Sequence, residues 1–346
     1  MNDYMMMYDF AKLYTAHKAA RRNKRNKSEV IEFEMNLAKN LCDLQRELKS
    51  RSYSFGVYHH FKIYEPKERE IFAPSYIDRV VQHCLCDNIV APLLEPKLIY
   101  DNAACRIGKG THFSMDRLSD FMRRFHRLHG TAGYFLKCDI RKYFASINHE
   151  VLMKKLERVF DDKEVFKLLC HIIKSYEESP GVGLPLGNQT SQWFALYYLD
   201  GVDRLIKEKL QIKYYTRYMD DFVLLHKDKD YLRKCLIEIR SICENELGLE
   251  LNEKTQIFPV KNGVDYLGWH FYLTDTGKVI RKLRNAGKKK IKRRYRKMAQ
   301  DYHDHLIELE DVKRSIASTQ GHLCHGHTYH LRCKLAAETV YVRGGS

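Results

Sequence analysis

Between Lys213 and Leu225 the chain runs Lys213-Tyr214-Tyr215-Thr216-Arg217-Tyr218-Met219-Asp220-Asp221-Phe222-Val223-Leu224-Leu225. Aromatic and β-branched residues of this density favour strands, and two adjacent carboxylates interrupt them. The pattern predicts a hairpin with Asp220 and Asp221 at its tip. Neighbouring carboxylates repel each other and resist ionisation unless a cation or water offsets the charge. A metal site does so, and two-metal phosphoryl transfer is the chemistry that most needs such a pair. A chain carrying this segment must therefore build a sheet that delivers two acids to one end.

Length and charge narrow the setting. The 346 residues can hold two or three subdomains around a sizeable core. Lys and Arg number 60 against 44 Asp and Glu, a net charge of +16, and the pI is near 9.2. Such a balance favours nucleic acid or an anionic membrane surface. No segment approaches the roughly 18–20 unbroken apolar residues of a membrane span. The start, Met1-Asn2-Asp3-Tyr4, lacks the charged-then-apolar order of a signal peptide. Nucleic acid is the expected partner, with no membrane. The ten cysteines form no CxxC pair, and Cys84, Cys138 and Cys170 lie in apolar runs. This usage suggests a reducing, cytoplasmic setting.

Periodicity gives a mixed α+β order. Residues 1–55 read as helical, with a basic run from Lys18 to Lys27 that includes Arg21 and Arg22. That run is either a solvated helix face or an RNA contact. A helix is expected over Ser28–Ser50, where Val30, Phe33, Leu37, Leu41 and Leu44 recur at helical spacing. Val57–Ala73 predicts a hairpin, and Ser75–Pro92 a helix capped by Ser75. A β-like run ends at Asp139. Helices are expected over Asn148–Tyr176, Gln189–Lys209 and Asp230–Leu247, with short strands over Thr255–Val260 and Tyr266–Tyr272. After Gly277 a basic helical tail opens, containing Lys288, Lys289, Lys290, Lys292, Arg293 and Arg294.

A metal centre needs a third ligand. Asp139 closes the apolar run Tyr134-Phe135-Leu136-Lys137-Cys138 and is the best candidate. Alone, an acid at a strand end is more often a turn or cap residue. Beside Tyr218-Met219-Asp220-Asp221 it resembles the first palm motif of reverse transcriptases, whose catalytic box the latter segment resembles. The resemblance spans about residues 10–340. It implies a right-hand polymerase, an RNA-directed DNA polymerase with fingers, an antiparallel palm sheet and a short helical thumb. Asp139, Asp220 and Asp221 would be catalytic. With the carbonyl of Ile140 they would hold two Mg²⁺ ions, for which Mn²⁺ can substitute. Phe144 falls where the family excludes a ribose 2′-hydroxyl by bulk, although an ordinary core position is the alternative.

Other segments follow the family order. Gly183-Leu184-Pro185-Leu186-Gly187-Asn188-Gln189-Thr190-Ser191-Gln192 resembles the loop and helix start beneath the templating base and incoming nucleotide. Lys254 resembles the lysine near the triphosphate. Leu267-Gly268-Trp269 resembles the primer grip, with an indole available near the primer end. Lys67 to Pro74 and Asp78 to His83 resemble fingers motifs. There Arg69 is the expected triphosphate contact, with Lys67 and Arg79 weaker; the alternative for Arg79 is a structural ion pair, next to Asp78. Arg106, in Cys105-Arg106-Ile107-Gly108-Lys109-Gly110-Thr111, is a further nucleotide candidate. Gln192, Tyr218, Met219, Leu267, Gly268 and Trp269 would border template and primer.

Two departures narrow the family. Leu186 stands where a glutamine is usual, and Gln192 where a proline is usual. This resembles reverse transcriptases of diversity-generating retroelements, which copy a template-repeat RNA with errors at adenines. An amide there can brace the nucleotide, whereas Leu186 offers only shape and dispersion. The resemblance further implies dNTPs, template RNA and cDNA product as ligands, and a basic oligomeric accessory protein as partner. The rivals are a retron, phage-defence or group II-like enzyme of ordinary fidelity or untemplated synthesis, and a non-catalytic RNA-binding protein.

The expected divisions are an N-terminal helical basic extension (1–56), fingers (57–132), palm with part of the fingers (133–275) and a basic helical thumb (276–346), with no room beyond for an RNase H or endonuclease domain. In the thumb, His322, Cys324, His325, His327, His330 and Cys333 invite a zinc reading but lack regular ligand spacing. A helical thumb packing Leu323, Tyr329, Leu331 and Leu335 inward is the expectation.

Overall fold

Local rules account for most of the helices in the computed structural model, which describes residues 3–64 and 68–344. After a short 3₁₀ turn, α1 (Phe10–Ala20) starts under Asp9, whose carboxylate accepts from the Lys12 amide. The single helix expected over 28–50 is two, α2 (Ser28–Met35) and α3 (Leu37–Ser50), broken at Asn36. Their buried faces still carry Val30, Phe33, Leu41 and Leu44. The fingers hairpin pairs β1 (His59–Ile63) with β2 (Arg69–Ala73). Ser75 caps α4 (Tyr76–Leu85) as expected, accepting from the Asp78 amide. The path continues through a π-helical turn into α5 (Ala91–Leu94).

Next come α6 (Thr111–His129) and β3 (Tyr134–Cys138). The stretch 148–176 also divides, into α7 (His149–Glu157) and α8 (Lys163–Lys174), because Asp162 caps a new start. α9 (Gln189–Tyr198) and α10 (Asp200–Arg204) replace one long helix, with a π-helical turn following. β4 (Tyr214–Tyr218) and β5 (Asp221–His226) form the expected hairpin, followed by α11 (Lys229–Leu247) and β6 (Gln256–Pro259). Then come β7 (Val264–Tyr266), β8 (Trp269–Leu273) and β9 (Val279–Leu283). The helices α12 (Asn285–His303), α13 (Leu309–Leu323) and α14 (Tyr329–Glu338) close the described chain.

The palm sheet has the order β4-β5-β3-β6, and every pair in it is antiparallel. Alternation along each strand sends side chains to two different cores. Leu136, Cys138, Tyr215, Phe222 and Leu224 join the larger one, with the N-terminal helices, the fingers helices and α7–α11. Phe135, Tyr214, Val223 and Leu225 join the other, with α6, the β7-β8-β9 sheet and the thumb helices. The boundary expected at residue 276 falls within this second sheet, since β9 pairs with β8 from Val279 to Leu283, and the run of helices starts at Asn285. The charged sequence Val-Ile-Arg-Lys-Leu hides this strand, since only Val279 and Leu283 are buried. Leu13, Ala16 and Ala20 of α1, in the N-terminal segment, lie in the larger core. Leu323 and Leu335 point inward as expected and Leu331 packs beside them, but Tyr329 is exposed.

Candidate active site

The register of three strands brings the acids together. Tyr218 pairs with Asp221 across the β4–β5 turn, leaving Met219 and Asp220 as its two loop residues. The β3–β5 ladder ends at Cys138 opposite Phe222, so Asp139 lies one step beyond the last rung, beside Asp221. Desolvation by burial, with Asp139 and Asp221 adding to it, pushes the Asp220 carboxyl up to about 6; the nearby Arg69 opposes this. Asp221 is raised by burial and by Asp139, while Lys137 opposes the rise through an ion pair with its carboxylate. Lys137 lies two residues before Asp139, on the same face of β3, and its ammonium also sits 5.3 Å from the Tyr266 ring centre.

These donors suit a divalent cation chemically, being hard oxygens whose charges oppose one another's ionisation. Among the described residues no three His, Cys, Asp or Glu side chains converge closely enough to hold an ion as they stand. Ile140, next in the chain after Asp139, forms an isolated antiparallel bridge with Leu251. The bonds flanking it, Asn252 amide to Asp139 carbonyl (2.7 Å) and Arg141 amide to Glu250 carbonyl (2.9 Å), use its neighbours instead. The first of these also ties the Asn252–Thr255 turn, which carries exposed Lys254, to the backbone of Asp139.

The nucleotide-side residues gather on the fingers side. Arg69 opens β2, close enough to Asp220 to lower its pKa. The Phe72 amide donates to the Leu186 carbonyl at 3.2 Å, joining β2 to the loop before α9. Gly187 lies at φ 124°, and a Cβ there would sit 3.4 Å from Ile71 Cγ2 and from the Phe72 carbonyl. Asn188 donates to Tyr58, and Gln82 accepts from the Gln189 amide, so the start of α9 is braced from both the hairpin and α4. Gln192, one turn on, is half-buried, as are Phe144 and Leu186. The Phe144 ring touches Tyr143, and its carbonyl accepts from Leu184, tying it to the same loop.

Several expectations need correction. Arg106 is not free for a triphosphate: it is buried, pairs with Glu95 at 2.7 Å, and donates to the carbonyls of Ile99 and Asn102. It shapes its own loop. Arg79 is a structural ion-pair residue, with Glu29 rather than its neighbour Asp78. Asp78 instead takes hydrogen bonds from Tyr53, Gly56 and Ser75. Trp269 is 0 % exposed and packs against His322 and Gly326, so its indole supports the thumb and is unavailable to a primer. Leu267 and Gly268, at the turn, are the accessible part of that motif. Lys67 lies outside the described residues.

The basic segments are accessible. Arg22 and its loop neighbours are exposed, and the loop from Lys18 to Lys27 lines a cavity of about 650 Å³; Arg21 is ion-paired with Glu34. On α12, Lys289, Arg293 and Arg294 are exposed, Lys288, Lys290 and Lys292 half-buried, and Lys292 pairs with Glu338. The thumb histidines disperse: His325 stacks on His112, His322 lies on Trp269, and His327 accepts from the Arg281 amide.

One residue pair escaped the sequence reading. Arg217 and Asp203 are both 0 % exposed and form a two-pronged ion pair beneath the turn, at 2.8 and 2.5 Å. The available signal was alternation: Tyr215 faces the larger core, so Arg217 must as well, and a charge there demands a buried partner.

Comparison with known proteins agrees with this geometry. A family model described as "Reverse transcriptase (RNA-dependent DNA polymerase)" matches residues 65–271, more than half of the chain. Protein YkfC of Escherichia coli (strain K12) is 26% identical over 250 residues, covering 60% of this chain and 65% of YkfC. In fold, telomerase from Candida albicans, in complex with a fragment of telomeric RNA, aligns with a TM-score of 0.51 at 16% identity. That alignment covers 69% of this chain and 46% of the telomerase. Apo telomerase from Candida Tropicalis aligns with a TM-score of 0.50 at 15% identity, over 66% of this chain and 49% of that one. The chain thus spans less than two thirds of the length of each relative, and the telomerase likeness concerns the fold alone.

Proposed function

The chain belongs to the reverse transcriptase (RNA-dependent DNA polymerase) family, and from that premise we propose that it copies a template-repeat RNA into error-prone cDNA for a diversity-generating retroelement. The observation that carries the polymerase reading is the placing of Asp139 and Asp221 beside Asp220, where both raise its charge cost with Arg69 nearby, while Asp139 also raises that of Asp221. Asp139, the Ile140 carbonyl, Asp220 and Asp221 would hold two Mg²⁺ ions, or Mn²⁺ in their place, which when bound supply charge neutralisation for nucleotidyl transfer.

The protein's own groups do the rest. Arg69 grips triphosphate oxygens with its forked guanidinium, and Lys254 adds a point charge from the turn tied to Asp139. Phe144 limits the space under the sugar to a deoxyribose. Gly187 lets the backbone approach the base pair, with Leu186 beside it. Gln192, Tyr218, Met219, Leu267 and Gly268 border template and primer. Exposed cations of the α1–α2 loop, including Arg22, and of α12 engage RNA phosphates, a contact that is blind to sequence and weakens with salt. A basic oligomeric accessory protein and a cytoplasmic setting complete the reading, the latter in keeping with ten unpaired cysteines.

The mutagenic subclass rests on Leu186. Its backbone is anchored to Phe72, but its side chain makes no directional bond to a nucleotide, so mispairs meet little resistance. The test is primer extension on a defined RNA followed by sequencing of the cDNA. Asp220→Ala should reduce dNTP incorporation by about three orders of magnitude, or about 4 kcal/mol of transition-state stabilisation. Retained incorporation overturns the polymerase reading. Errors should concentrate at template adenines and diminish in Leu186→Gln; a flat error spectrum points to a reverse transcriptase of ordinary fidelity.

A further inference from the structure

Arg217 occupies a position on β4 where an apolar side chain would be expected. Its neighbours in alternation, Tyr215 and the facing Phe222, are fully buried. Burying an ion pair is a poor way to gain stability, since desolvation offsets most of the attraction. The arrangement calls for another reason, and the remaining donors supply it. Nε and Nη2 engage both oxygens of Asp203, and Tyr215 donates to the same carboxylate at 2.6 Å. Nη2 also donates to the Leu196 carbonyl at 3.0 Å, near the end of α9. Nη1 donates to the carbonyl of Met219 at 2.9 Å.

That last carbonyl belongs to the peptide linking Met219 to Asp220. Met219 is not glycine, yet it lies at φ 57° in the left-handed region, which costs about 1–2 kcal/mol. A strained residue can relax by rotating the following peptide, and any such rotation would re-aim Asp220. A planar guanidinium clamped at its far edge by Asp203 leaves the Met219 carbonyl one direction to point. The backbone of Arg217 is fixed too: its amide donates to Asp101 and its carbonyl accepts from Ala103.

We propose that Arg217, locked by Asp203, is a positioning residue that sets the Met219–Asp220 peptide and thereby the aim of the Asp220 carboxylate. The inference rests on the polymerase reading of the acids. Lysine keeps the charge but has no planar fork, so it cannot serve Asp203, Leu196 and Met219 together.

The test uses the full chain with Arg217→Lys and Asp203→Asn, the second being nearly isosteric and decisive if the first does not fold. Folded fraction is set by circular dichroism, and kinetics are run well below Tm on poly(rA)/oligo(dT). For Arg217→Lys, kcat per folded molecule should fall about a hundredfold, as for a misaimed group, with KM for dTTP within about threefold. Asp203→Asn, acting one bond further away, should lower kcat about tenfold. A merely structural role would lower Tm and leave kcat per folded molecule unchanged, and that result overturns the proposal. A second readout needs no turnover: the Tm increase produced by Mn²⁺ alone should shrink in both variants. Equal shifts in parent and variants, including no shift in any, overturn it as well. A parent chain that incorporates no dTTP counts against the polymerase reading, and the Mn²⁺ shift still judges the clamp.

Discussion

The turn at Met219-Asp220 and the turn at Leu267-Gly268 each join two antiparallel strands through two residues. Each begins with a bulky residue in the left-handed region, at φ 57° and 48°. They part at the second position. Gly268, at φ 85°, takes the conformation that a tight hairpin prefers, without a Cβ to object. Asp220 is not among the residues at positive φ, so in this turn the position where glycine would be easiest is Met219. The second turn is held by its own chemistry and by Trp269 beneath it; the first is held from the core, through Arg217 and Asp203. Where the reaction needs a carboxylate at the tip, local ease is given up and tertiary structure takes over the task.

The contrast can be broken experimentally. Asp203→Ala should have the largest effect on stability, about 3–5 kcal/mol, because it leaves the Arg217 charge buried and unpaired. Chemical denaturation measures it; a loss under about 1 kcal/mol would mean that the pair is solvated in solution and no clamp. Trp269→Ala should cost a similar or slightly smaller amount, about 3–4 kcal/mol, by emptying the space over His322 and Gly326. Its KM for dNTP should not move. A large rise in the KM for primer, with stability intact, would return the indole to the primer.

Gly268→Ala sharpens the comparison at smaller scale. A Cβ there meets nothing within 4 Å, so only backbone strain acts, at about 1 kcal/mol. The mirror change, Met219→Gly, relieves strain but frees the unfolded chain, so its stability should stay within about 0.5 kcal/mol of the parent. Equal effects at the two sites would erase the distinction between them. The gentlest probe is pH. With no divalent cation present, the folded chain binds the Asp220 proton more tightly than the unfolded one, whose acid titrates near 4. This contribution favours the folded state below about pH 4 and is lost as pH rises through about 6. The Tm of the parent should decline across that window relative to Asp220→Asn.

Much of the site was legible because the relevant signals are short-range. Two acids between β-forming runs define a hairpin, and Asp139 ends an apolar strand, so register alone brings the three together. Ser75 announces its helix through a cap. What stayed hidden depends on partners distant in sequence. Nothing around Arg106 reveals that Glu95 will bind it, and nothing around Trp269 reveals α13 and Gly326 closing over the ring. β9 was missed because Arg281 and Lys282 at its centre look like the start of the basic helix that follows, and only its two end residues are fully buried. Asn36 and Asp162 divide helices whose apolar periodicity runs straight through the break, a case in which pattern outlasts geometry.

The palm sheet stands between two cores, with successive side chains of Phe222-Val223-Leu224-Leu225 directed to one and then the other. It is therefore a party wall, and no residue of it can be repacked from one room without the plaster shifting in the other. Substitutions on the thumb side of Val223 or Leu225 reach the acids by moving the strand that carries Asp221, with no contact to nucleotide or metal. Drift in this chain should accordingly be freest in elements that touch neither side of the wall, and a library that varies both rooms at once should lose the aim of its acids before it loses its fold.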